Sequence, residues 1–108
     1  MRREEIIAEL NGRADAIRAF GVTGLYLYGS AARDDMTATS DVDLFADVDY
    51  DRFGFLPFMD LREFLRSILG RNVDFTTRSA LHPDIKERIV RSAVTVFDNA
   101  TVHKVAAQ

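Results

Sequence analysis

Three aspartates and one Gly-Ser pair carry the chemistry legible in this chain. Asp41 and Asp43 flank Val42, and Asp74 sits between Val73 and Phe75. Gly29 and Ser30 end an apolar run from Leu25 to Tyr28, and ten residues separate Ser30 from Asp41. A turn with free backbone N–H groups can hold phosphate oxygens. Carboxylates in register on a strand can hold Mg²⁺, an ion that takes oxygen ligands. Side by side, these parts make a site for a nucleoside triphosphate.

Charge repulsion sharpens that reading. Two carboxylates ~4 Å apart repel by about 4 kcal/mol at an effective dielectric of roughly 20. A buried aspartate is costly unless it meets a cation or several donors. Either the aspartate face is solvated, or it holds metal. In the metal reading, two Mg²⁺ ions clamped by Asp41, Asp43 and Asp74 stabilise the attacking and leaving oxygens of an in-line phosphoryl displacement. Asp74 is then placed to orient or deprotonate the attacking hydroxyl. Gly29 and Ser30 hold the terminal phosphates. Arg33 either neutralises phosphate charge or braces the acidic loop.

The elements that must position these groups follow from periodicity. Residues 3–19 read as one helix, with Ile6, Ile7, Leu10, Ala14 and Ile17 forming an apolar stripe. Val22 to Tyr28 reads as a strand, with Leu25 and Leu27 on one face and Tyr26 and Tyr28 on the other. Gly29 permits a sharp exit, Ser30 to Arg33 make a short helical turn, and residues 34–40 form a loop. Asp41 to Asp47 reads as a second strand that projects Asp41, Asp43, Phe45 and Asp47 from one face. A connecting segment, 50–58, leads to a helix whose stripe is Leu61, Phe64, Leu65, Ile68 and Leu69. Asn72 to Thr76 is a third strand with Asp74 outward. His82 reads as a loop residue. Pro83 opens a last helix with Ile85, Ile89 and Val90 as its apolar positions. Val94, Val96 and Phe97 give a final strand, and the tail 98–108 is expected to fray. The order implies an α/β (α+β) fold: a mixed sheet of about four strands flanked by helices.

Composition narrows the classes. A chain of 108 residues with 47% hydrophobic and 29% charged residues is expected to form one domain, 1–108. A net charge of −3 gives no electrostatic case for binding a nucleic acid backbone. The absence of Cys excludes disulfides and thiolate metal sites, and His82 and His103 are too scattered for a zinc cluster. No apolar run is long enough to span a membrane. The expected location is cytoplasmic. A calcium-loop reading of the acidic run from Asp41 fails, because position six is Ala46 and position twelve is Arg52. Asp47, Asp49 and Asp51 read instead as a solvated rim.

The stretch G-S-A-A-R-D-D-M-T-A-T-S-D-V-D-L, from Gly29 to Leu44, resembles the signature of the polymerase-β-type nucleotidyltransferases. More narrowly, it resembles the minimal nucleotidyltransferases of prokaryotes, the antitoxin half of a pair whose toxin is a helical HEPN-family ribonuclease. The resemblance implies a mixed sheet flanked by helices, two Mg²⁺ ions and ATP as donor. It implies AMP transfer to a tyrosine hydroxyl of the HEPN toxin. Carried over, Gly29 and Ser30 contact phosphate, Asp41 and Asp43 bind metal, and Asp74 is the third carboxylate. Two alternatives stay open: an antitoxin that neutralises its partner by docking alone, and nucleotidyl transfer to a small molecule.

Overall fold

The computed structural model describes residues 1–99. The helix expected over 3–19 is two helices, α1 (Arg3–Asn11) and α2 (Ala14–Ala19). The break falls at Gly12 and Arg13, and Arg13 leaves helical geometry at φ −116° and ψ 17°. Gly12 is the weakest helix former in the run, which makes it the cheapest place to bend. The bend preserves the stripe: Ile6, Ile7, Leu10, Ala14 and Ile17 are all buried.

Four strands form one mixed sheet in the order β3-β2-β1-β4. β1 (Val22–Tyr28) runs antiparallel to β2 (Val42–Val48) and to β4 (Val94–Phe97), and β2 runs parallel to β3 (Val73–Thr77). The C-terminal end of β1 and the N-terminal ends of β2 and β3 therefore meet at one end of the sheet. The segment leaving β1 makes the four-residue helical turn α3 (Gly29–Ala32).

One sheet face carries the main core. Leu25, Leu27, Val42, Leu44, Ala46, Val73 and Phe75 cluster there with Leu61, Leu65 and Leu69 of α4 and with the stripe of α1 and α2. Each fully buried aliphatic side chain contributes about 1.5–3 kcal/mol. α4 spans Phe55–Leu69 and so starts earlier than the stripe alone predicts. Pro57 falls in its first turn, where a missing N–H costs nothing. Gly70, at φ 64°, closes it.

α5 spans Pro83–Ser92. Ile85, Ile89 and Val90 are its apolar positions, yet no residue of α5 is buried. α5 packs beside β1 without entering the core. His82 does more than fill a loop: its Nδ1 accepts a hydrogen bond from the Asp84 N–H at 3.2 Å, capping α5. The tail expected to fray begins at Asp98, whose carbonyl accepts from Arg18 at 3.4 Å. From Ala100 onward, His103 included, it lies outside the described residues.

Candidate active site

The sheet register sets three side chains in one row. Tyr28 of β1 pairs with Asp43 of β2, and Asp43 pairs with Asp74 of β3. Residues paired across a sheet project from the same face, so Asp43 and Asp74 are neighbours on the face opposite the core. Asp41 precedes β2 by one residue and lies close enough for its charge to act on Asp43.

Asp43 carries the electrostatic signature of this crowding. Its carboxyl is pushed up to about 6, first by burial, then by the charges of Asp74 and Asp41, against a lowering effect of Arg33. Tyr28 is pushed up to about 12, by burial first and then by Asp74 and Asp43. The phenol therefore stays protonated beside the carboxylates at any ordinary pH.

The Gly-Ser corner closes directly onto this row. Gly29 has φ +68°, and a Cβ built there would stand 2.3 Å from Asp43 Oδ2. Only glycine lets the backbone pass so near the carboxylate. Ser30 follows in α3, and its carbonyl accepts the Asp35 N–H at 2.9 Å. Asp34 adopts φ 60°, and its side chain accepts the Arg3 N–H at 2.9 Å, which ties α1 to the corner. Arg3 also donates to the Ala32 carbonyl at 2.9 Å. Arg33 braces the loop, with its Nε contacting Asp35 Oδ2 at 3.3 Å, and its charge reaches Asp43.

Further along the same face, Asp47 corrects the solvated-rim reading. Arg78 Nε and Nη2 donate to its two carboxylate oxygens at 2.7 and 2.9 Å, and the Tyr26 hydroxyl donates to it at 3.0 Å. These hydrogen bonds from Arg78, the largest effect, hold the Asp47 carboxyl below its usual range. The Arg78 guanidinium lies over the rings of Tyr26 and Phe45 at 5.0 and 5.1 Å. Phe45 is fully buried although it faces away from the main core, because Tyr26, Tyr28 and Arg78 cover it. Gly24 makes room for this cluster: a Cβ there would meet the Tyr26 hydroxyl at 2.6 Å. Sequence reasoning missed Arg78, since nothing local links it to a partner 31 residues away.

The donor set suits a hard divalent cation. Its members are carboxylates, with no thiol or imidazole among them. Among the described residues, no group of three or more such side chains forms a ready-made metal cage. The neighbouring carboxylates of Asp43 and Asp74 are oxygen ligands of the kind Mg²⁺ takes one or two of, the rest of its shell coming from water and substrate phosphates. A cavity of about 680 Å³ borders Asp41 and is lined also by Ser40, Arg66, Arg71 and Asn72. Asp43 and Asp74 lie outside it, on the open sheet face.

The nucleotidyltransferase domain model matches residues 7–96. The chain belongs to the nucleotidyltransferase family. Among curated relatives of this nucleotidyltransferase, the protein adenylyltransferase MntA of Thermococcus cleftensis is 34% identical over 95 residues, covering 86% of this chain and 94% of the relative. A solved structure provisionally described as a minimal nucleotidyltransferase superposes with a TM-score of 0.77 at 26% identity, covering 87% of this chain and 95% of that one. The complex of a tri-AMPylated Shewanella oneidensis HEPN toxin with its MNT antitoxin shares the fold at a TM-score of 0.59 and 16% identity, with 82% of this chain and 69% of that one covered. The expected nucleotidyltransferase class and the mixed, helix-flanked sheet both stand.

Proposed function

We propose that this nucleotidyltransferase is a Mg²⁺-dependent protein adenylyltransferase that moves AMP from ATP to a tyrosine hydroxyl of a HEPN-family toxin and thereby silences it. The observation that carries the reading is the row of Asp43 and Asp74 across two strands, with Gly29 packed against Asp43. The relative named protein adenylyltransferase MntA supports the protein acceptor. The HEPN toxin partnered with its antitoxin in the structural relative supports the choice of partner.

The order of parts across the sheet gives the reaction a direction. Gly29 and Ser30 lie on the β1 side of Asp43, and Asp74 lies on the β3 side. The N–H groups of the Gly29 corner, the Ser30 hydroxyl and Arg33 bind the β- and γ-phosphates on the first side. Asp41 and Asp43, with Asp74, would hold Mg²⁺, which when bound neutralises the phosphate oxygens and the developing charge. The acceptor hydroxyl enters from the β3 side and attacks the α-phosphorus. The bond from that phosphorus to the bridging oxygen breaks, pyrophosphate leaves towards Ser30, and the hydroxyl proton passes to the Asp74 carboxylate.

The test uses labelled ATP, Mg²⁺ and, as candidate acceptor, the product of the neighbouring gene. Label is expected on a tyrosine of that partner, and absent with Asp41→Ala or Asp43→Ala. If those variants neutralise the partner as well as the parent does, docking alone is the function.

A further inference from the structure

We propose that Arg71 is a positioning residue that fixes Asp41 relative to Asp74; the inference rests on the metal-site reading above. One nitrogen of Arg71, Nη2, donates to three backbone carbonyls of the loop before β2: Thr37 at 2.9 Å, Ala38 at 3.1 Å and Ser40 at 3.0 Å. No carboxylate pairs with Arg71 among the described residues. Its charge is spent on loop carbonyls.

Those carbonyls belong to a segment with no regular structure of its own. The loop folds into a small turn in which the Ser40 N–H donates to the Thr37 carbonyl at 3.2 Å and the Thr37 N–H donates to Ser40 Oγ at 2.9 Å. Ser40 immediately precedes Asp41. On the other side, Arg71 precedes Asn72, whose carbonyl accepts the Val42 N–H at 3.0 Å. Asp74 follows three residues after Arg71. A single side chain thus ties the loop that delivers Asp41 to the strand that delivers Asp74.

The physical need for such a tie is plain. Asp41 lies before the first ladder residue of β2, so the sheet alone does not fix it. It also shares space with Asp43 and repels it. Left free, the loop would swing Asp41 away from its like-charged neighbours. Partners that orient a metal ligand are typically worth about 10–100-fold in metal affinity.

The experiment is titration of the full chain with Mn²⁺ alone, followed by electron paramagnetic resonance, for the parent, Arg71→Ala, Arg71→Lys and Asp43→Ala. Asp43→Ala reports whether the carboxylates bind the ion at all, which separates failure of the metal-site reading from failure of the clamp. Arg71→Ala is expected to weaken Mn²⁺ binding about 10-fold or more with a near-parental melting temperature. Arg71→Lys, which keeps a cationic donor in reach of some of these carbonyls, is expected to fall between. Methylguanidinium added to Arg71→Ala is expected to recover part of the loss, which a generally loosened fold would not do. Parental Mn²⁺ affinity in Arg71→Ala, with binding lost in Asp43→Ala, overturns the proposal. Should Arg71→Ala not fold, Arg71→Lys decides alone: parental affinity there overturns it.

Discussion

At the scale of single residues, Asp43 concentrates the cost of the site. Its carboxyl titrates near 6 in the folded chain against 3.8 in an unstructured one. The folded state therefore binds more protons between those values, and stability falls as pH rises from about 4 to about 6. Above that window the penalty is constant. In chelator, Asp43→Asn is expected to stabilise the protein at pH 7 by about 1–2 kcal/mol, allowing for solvent screening, and by almost nothing at pH 4. Urea unfolding at the two pH values measures this. An equal gain at both would show that packing rather than charge is responsible. Gly29→Ala tests the neighbouring contact. Its Cβ at 2.3 Å from Asp43 Oδ2 and its φ of +68° both oppose the substitution. About 1–3 kcal/mol of stability is expected to go, with transfer activity falling at least about tenfold as the carboxylate is displaced. Asp41, Asp43, Gly29 and Ser30 were legible because each rests on local facts: the period of a strand and the reach of a turn. Arg71 and Arg78 were not, because an exposed-looking arginine announces no partner until the chain has folded.

At the scale of elements, the strands were easier to read than the helices. Alternation set Tyr26 with Tyr28 within β1 and Asp43 with Asp47 within β2, and turned Asp74 outward in β3; the register then puts all five on one face. The first helix was read through its break because burial, not continuity, sets the apolar spacing, and that spacing survives the bend at Gly12. α5 forms where Pro83 announces it, but its apolar positions stay at the surface or only half-buried. An amphipathic pattern says that a face is apolar, not that the fold has core space left for it. Asp47 was misread because its place in an acidic run outweighed its place on the strand. Its pair with Arg78 braces the far part of the site face: Arg78 reaches from the turn after β3 to β2 and covers Phe45. Arg78→Ala is expected to cost about 1–2 kcal/mol, since two charge-assisted hydrogen bonds are lost from a pair that is about one-third exposed. The Asp47 carboxyl is held below 3.8, so this contribution is complete above that value and is lost as pH falls through the depressed one. Chemical denaturation of parent and variant should differ at pH 7 and converge in acid. A gap that persists in strong acid would assign the cost to ring packing.

At the scale of the whole molecule, charge decides how donor and enzyme meet. The chain carries a net charge of −3, and its acid row faces the place where a triphosphate would bind. Arg33 lowers the Asp43 carboxyl by its charge, and it also contacts Asp35. A negatively charged chain with carboxylates in a row opposes a polyanion, so nucleotide and protein are expected to repel each other unless divalent cations arrive with the nucleotide. The thermodynamic consequence is direct. A ligand that binds only the folded state at ten times its dissociation constant adds about 1.4 kcal/mol of stability. For a domain of this size that is roughly 5–10 °C in melting temperature. Mg²⁺ with ATP is therefore expected to raise the melting temperature, while ATP in chelator leaves it unchanged or lowers it. Asp43→Ala, lacking the carboxylate at the centre of the row, is expected to lose the shift although its metal-free stability is no lower than the parent's. Differential scanning fluorimetry on the isolated chain suffices, because no partner protein is needed for this step. An equal rise with ATP in chelator would mean that the Gly29–Ser30 corner and Arg33 bind the nucleotide by themselves, and that the aspartates serve some other purpose.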